Sequence, residues 1–158
     1  MTNRDPSNVL TGSCLCGGVR FEIRGAFLRA SHCHCSRCRK HSGAGASTQG
    51  RVLREQLRVV SGEDLVRTYK AAPDAAVKVF CSVCGSSLFG GAYPGSPEVA
   101  IRFGALDGDP GIRPQFRMWV DSMAGWDRIT DDLSQYAEGW SPTAKPKPRK
   151  QQSARRTR

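Results

Sequence analysis

The sequence predicts a mainly β domain with only short helical turns, on three observations. Short apolar segments alternate with period two, clusters of Gly, Pro, Asp and Ser separate them, and no stretch sustains helical periodicity over an ordinary helix length. At 158 residues the chain is long enough for one domain that buries about 70% of its unfolded surface, so its core needs no disulfides.

Val19, Phe21 and Ile23 alternate with Arg20, Glu22 and Arg24 straight after the turn at Gly17-Gly18, the pattern of a half-buried strand. Further strands are expected at Leu57–Val60, Leu65–Tyr69, Val77–Cys81, Val99–Phe103 and Phe116–Val120. Turn signals divide them at Ser61-Gly62, Pro73-Asp74, Tyr93 to Pro97 and Asp107 to Gly111. A turn or two of helix is expected at Ser36–His41 and near Asp131–Ala137.

The net charge of +10 is unevenly spread. Lys145, Lys147, Arg149, Lys150, Arg155, Arg156 and Arg158 fall in residues 141–158 with no acid, which leaves +3 to residues 1–140. From Ser141 onward no large apolar residue occurs, so residues 140–158 read as a disordered basic tail. Such a tail could contact nucleic acid or another polyanion without sequence preference, although a solubilising role is favoured and no aromatic residue is interleaved for base stacking. Residues 1–11 read as an N-terminal extension without a secretory signal, and no run approaches the roughly 18 apolar residues of a membrane span. A soluble cytoplasmic protein is expected.

Seven cysteines fall into three clusters: Cys14-Leu15-Cys16, Cys33-His34-Cys35-Ser36-Arg37-Cys38 and Cys81-Ser82-Val83-Cys84-Gly85. An odd number of cysteines in a reducing compartment points to metal ligands rather than disulfides. Cys14 and Cys16 point the same way along an extended segment, and the turn before Gly85 brings Cys81 and Cys84 together, so the outer clusters make a closed four-thiolate zinc site. The alternative is four unligated cysteines buried as small hydrophobes.

The middle cluster offers three thiolates, and a zinc ion held by three protein ligands keeps a position open for chemistry. On spacing, His41 could close that position; His34, between two ligands, would face away from the ion, and His32 reads as a loop residue. Three thiolates on a divalent ion leave a formal negative charge, which disfavours water activation and favours capture of an incoming thiol as thiolate. Arg37, Arg39 and Lys40 surround the loop and could attract an anionic thiol such as glutathione; otherwise they form a solvated basic face. Trp119, Trp126 and Trp140 read as core or core-edge residues, and Tyr93, Phe103 and Trp126 as candidates to line a pocket.

These residues resemble the glutathione-dependent formaldehyde-activating enzyme family, which also includes centromere protein V. The likeness runs through Gly12 to Val19, Cys33 to Lys40, Ser42-Gly43-Ala44, Phe80 to Ser86, Trp119 to Ser122, Trp126 and Asp132-Leu133, and gives a zinc-binding catalytic domain over residues 12–139. It implies a small zinc-binding fold of coiled antiparallel sheets similar to methionine-R-sulfoxide reductases. It also implies two Zn2+ per chain, one structural on Cys14, Cys16, Cys81 and Cys84 and one catalytic on Cys33, Cys35 and Cys38, with no histidine required at His41. The implied activity is that of a carbon-sulfur lyase joining a small aldehyde such as formaldehyde to a small-molecule thiol such as glutathione, or the reverse. Relatives often carry histidine where this chain has Arg117, so no role of that histidine carries over.

Overall fold

The computed structural model of the chain describes residues 9–148. Its strands are β1 (Val9–Ser13), β2 (Arg20–Arg24), β3 (Arg29–Cys33), β4 (Ser47–Leu53), β5 (Leu57–Ser61), β6 (Val66–Tyr69), β7 (Val77–Cys81), β8 (Ser87–Gly91), β9 (Glu98–Arg102), β10 (Phe116–Met118) and β11 (Ser134–Gln135), and helix α1 covers Ser36–Ser42. A three-stranded sheet has the order β1-β2-β5, and an eight-stranded sheet has the order β11-β10-β3-β4-β9-β8-β7-β6. All pairings are antiparallel except at one edge, where β10 runs parallel to both β3 and β11. The mainly β expectation holds. β1 contains Val9, Leu10 and Thr11, which the sequence alone places in the N-terminal extension; Leu10 is buried and stands opposite Ile23.

The core lies between one face of each sheet. Leu10, Phe21, Ile23 and Leu57 of the small sheet meet Val52, Val79, Phe89, Val99 and Ile101 of the large one. Phe21 and Phe89 close the contact edge to face, with ring centroids 4.9 Å apart.

The opposite face of the large sheet is unusual because polar side chains are buried on it. Cross-strand register aligns Arg29 with Arg51, Ala100, Gly90 and Lys78, aligns Ser31 with Gln49 and Arg102, and pairs Cys33 with Ser47. Ser31, Ser47, Gln49, Lys78 and Arg102 are all buried there. α1 packs over this face, with Sγ of Cys38 3.1 Å from Nζ of Lys78 and Nδ1 of His41 2.7 Å from Oγ of Ser87. The helix itself is short because its ends are fixed close together. The Cys35 sulfur accepts from the Cys38 amide at its start, and Gly43 in the left-handed region returns its N–H to Arg39 at its end.

The second expected helix does not form. Leu133 N–H bonds the Asp131 side chain, a local turn that competes with helix, and Ser134 and Gln135 pair with β10 instead. Beyond it Trp140 stacks on Phe116 at 5.0 Å beneath the Arg29 guanidinium, and Lys147 donates its backbone N–H to Gln135. The rest of the expected tail, residues 149–158, lies outside the described residues.

Candidate metal centres

Each outer cysteine pair sits where a strand ends in a tight turn. After β1, Gly17 with φ +73° bonds the Cys14 carbonyl, and the Val19 amide points at the Cys14 sulfur from 3.2 Å. After β7, Gly85 with φ +74° bonds the Cys81 carbonyl in the same way. Both turns need a residue that tolerates positive φ, which is why glycine follows each pair. The two turns are sewn together by Ser86, whose hydroxyl accepts from the Leu15 amide at 2.9 Å and lies 3.3 Å from the Cys84 sulfur.

As a result the sulfurs of Cys14, Cys16, Cys81 and Cys84 all lie within 4.8 Å of one another. All seven cysteines are free, and the 3.4 Å between the Cys14 and Cys16 sulfurs is far beyond a disulfide bond. The donor set fits a tetrahedral zinc ion: four soft sulfurs, with amide and hydroxyl donors directed at them. Hydrogen bonds from the Ser86 hydroxyl and amide pull the Cys84 thiol down to about 5, favouring the thiolate a metal requires.

The second cluster brings Cys33, Cys35 and Cys38 within the same 4.8 Å limit. Cys33 ends β3, Cys35 caps α1, and Cys38 lies in its first turn. Cys33 and Cys38 are buried while Cys35 is half-buried, so the cluster opens on the Cys35 side. Its thiols oppose one another's ionisation: interaction with Cys35 and Cys38 pushes Cys33 far up, whereas Cys38, supported by those two sulfurs and by Arg102 and Lys78, is held far down. A divalent cation among the three sulfurs relieves that crowding, so this donor set also fits a metal ion.

No histidine joins either cluster among the described residues. His41 is turned to Ser87 and packs against Phe80, so it does not close the second site. His34 faces away from the sulfurs, fully buried, with Nε2 2.9 Å from Arg117 and Nδ1 3.8 Å from an Asp127 oxygen. His32 belongs to β3, where its Nδ1 meets the Thr48 hydroxyl at 3.0 Å. Arg117 stands at the centre of this neighbourhood and binds both oxygens of Asp131 as well as His34.

Of the loop cations, Arg39 holds the backbone carbonyls of His34 and Ser122, while Arg37 and Lys40 are exposed. The buried cations come from strands instead, and one of them reaches a sulfur. Lys78, only 6% exposed, touches Cys38, and Arg102, only 5% exposed, bonds Gln49 beside it. Strand alternation carries the signal for both: in Val77-Lys78-Val79 and Ile101-Arg102 a long cation occupies an inward position that apolar patterning leaves to solvent.

Arg102 also lines a cleft of about 600 Å3 with Ser47, Ser87, Leu106 and Asp107. Its walls also include Cys14 and Leu15, beside the four-sulfur set, and none of Cys33, Cys35 and Cys38. Tyr93, Phe103 and Trp126 are not among its walls: Tyr93 packs on Phe89, Phe103 packs on Phe27, and Trp126 is 74% exposed.

The sequence profile described as "Glutathione-dependent formaldehyde-activating enzyme" matches residues 9–122, which include all seven cysteines. The chain belongs to that family. Three similar proteins carry the name "Putative glutathione-dependent formaldehyde-activating enzyme". The one from Halomonas elongata is 30% identical over 128 residues, covering 77% of this chain and 81% of that protein. Those from Aspergillus flavus and Aspergillus oryzae are each 33% identical over 116 residues, covering 70% of this chain and 60% of the fungal protein. Among solved structures, that of a Rhodobacter sphaeroides protein is similar at a TM-score of 0.53 and 26% identity, over 63% of this chain and 89% of the other. Membership in the glutathione-dependent formaldehyde-activating family agrees with the division of the cysteines into four and three.

Proposed function

We propose that the chain is a carbon-sulfur lyase that joins a small-molecule thiol, glutathione or a close analogue, to a small aldehyde such as formaldehyde, or runs the reverse cleavage. The observation that carries this reading is the second sulfur cluster: three convergent thiols, two buried and one half-buried, with no fourth protein ligand among the described residues. Cys33, Cys35 and Cys38 would hold one zinc ion and Cys14, Cys16, Cys81 and Cys84 a second. When bound at the three-cysteine site, zinc supplies an acceptor that favours the thiolate form of the substrate sulfur.

The remaining work falls to the chain. Lys78 offsets the negative charge concentrated on Cys38, and the Cys38 amide steadies the Cys35 sulfur from 3.3 Å. Holding thiol and aldehyde together is the main requirement, because a thiolate is already a strong nucleophile. Addition changes no oxidation state: the sulfur lone pair forms the C–S bond, the carbonyl π pair moves to oxygen, and the proton shed by the thiol ends on that oxygen. A cytoplasmic setting, where thiols stay reduced, suits both the free cysteines and this substrate class.

The test follows adduct formation between glutathione and formaldehyde by proton NMR exchange. Zinc-loaded protein is expected to accelerate it above the spontaneous rate, and a variant carrying Cys33→Ser, Cys35→Ser and Cys38→Ser is not. A rate unchanged by the wild-type protein across several thiols and aldehydes overturns the reading.

A further inference from the structure

The residue between Cys33 and Cys35 is tied down at both backbone and ring. His34 is fully buried. Its backbone N–H bonds the Met118 carbonyl at 3.0 Å, and its own carbonyl accepts from Nε of Arg39 at 3.2 Å. Neighbours in an extended segment turn their side chains to opposite sides, so the direction of the His34 ring also sets the direction in which the two flanking sulfurs point.

Opposite charges orient that ring. Nη1 of Arg117 lies 2.9 Å from Nε2, and a guanidinium can only donate, so Nε2 accepts and the neutral ring carries its proton on Nδ1. Nδ1 has no hydrogen-bond partner among the described residues and faces an Asp127 oxygen 3.8 Å away. A cation at the acceptor and an anion before the donor favour the same tautomer. Gly45 makes room for Asp127, since a side chain there would collide with its carboxylate. Arg117 is immobilised in turn: its Nε donates to both Asp131 oxygens, at 3.0 and 3.1 Å, and its side chain is only 14% exposed. It belongs to β10, which runs beside β3 with Met118 opposite Cys33. Among the described residues no hydrogen bond joins Arg117, Asp127 or Asp131 to a sulfur, so any effect of theirs on the cluster passes through His34.

We propose that Arg117 is a positioning residue of the three-cysteine centre: anchored by Asp131, it fixes the His34 ring in the Nδ1–H tautomer and thereby holds the Cys33 and Cys35 sulfurs toward a common point. This rests on the metal reading of that cluster given above and assigns it a support outside the sulfur set.

Nitrogen-15 NMR of zinc-loaded protein reads the ring directly, because the chain has only three histidines. Wild type should show His34 as an unmixed Nδ1–H tautomer. Arg117→Met should move it to a mixed or Nε2–H form, lower zinc affinity at the three-cysteine site about tenfold or more in chelator competition, and leave the four-cysteine ion in place. Arg117→Lys, which keeps a donor, should recover part of both. Asp131→Asn, at an exposed position, should shift both readouts in the same direction by less, and it carries the test should Arg117→Met not fold. A wild-type ring protonated on Nε2 overturns the clamp. An unchanged tautomer in Arg117→Met, or a changed one with wild-type zinc affinity, overturns the positioning role and leaves the metal centre standing. Loss of both ions together would assign the defect to general stability, and the proposal fails. A wild-type chain that binds no second ion overturns the centre itself and the proposed reaction with it.

Discussion

Lys78 is the side chain whose placement has the sharpest consequences. Its ammonium is buried against the Cys38 sulfur, and a buried lysine is stable only when something nearby is anionic. Lys78→Met keeps the volume and removes the charge, so zinc affinity at the three-cysteine site should fall about tenfold or more while the four-cysteine site keeps its ion. Chelator competition with zinc counted per chain checks this, and Lys78→Arg should retain the second ion. Asp131 makes a separate, pH-dependent contribution on the other side of β10. Its hydrogen bonds from Arg117 hold the carboxyl below its usual range. A lowered folded-state value stabilises above the unfolded carboxylate's range, near pH 4, and the effect disappears as pH falls through the folded value. Wild type should therefore resist urea better than Asp131→Asn at about pH 6.5, and the gap should close below about pH 4. A gap independent of pH removes the ion pair as its cause.

The elements divide by how openly their sequences announce them. Strands β2, β5, β7 and β9 were legible because one face of each is apolar and meets the core, as Phe21 and Ile23 do in β2. β3, β4 and β8, reading RASHC, STQGRVL and SLFGG, were not, because their second faces carry Ser31, Gln49, Arg51 and Gly90 toward the site rather than toward water. A strand that lines a polar site lacks the apolar alternation by which strands are recognised. β1 was missed for a related reason: Gly12 stands where a side chain cannot. A Cβ there would run into the Phe21 ring and lie 2.6 Å from the Ala105 carbonyl oxygen. Gly12→Ala should therefore destabilise by about 1–3 kcal/mol in urea unfolding. Gly104→Ala, where an added Cβ meets nothing within 4 Å, serves as the control and should change stability far less.

Across the whole molecule the cysteine clusters were legible because spacing alone grouped them, whereas the cations around them were not, since Lys78, Arg51 and Arg102 converge only through sheet register. The same contrast separates the mechanical roles of the two centres. Cys14 and Cys16 follow β1 of the small sheet, while Cys81 and Cys84 belong to the end of β7 in the large one, so an ion held by all four ties the two sheets together at the rim of their shared core. That tie closes a loop of about 65 residues, for which chain entropy suggests a stabilisation of about 4 kcal/mol; the three-cysteine site closes a loop of about six residues, worth about 2 kcal/mol on the same scale. Replacing Cys81 and Cys84 by serine should thus lower the thermal midpoint by about 10 °C or more, and replacing Cys33, Cys35 and Cys38 should lower it by roughly half as much. Scanning calorimetry with zinc counted before each run decides it. The local triplet proving the more damaging to stability would mean that the long-range staple is not what joins the sheets.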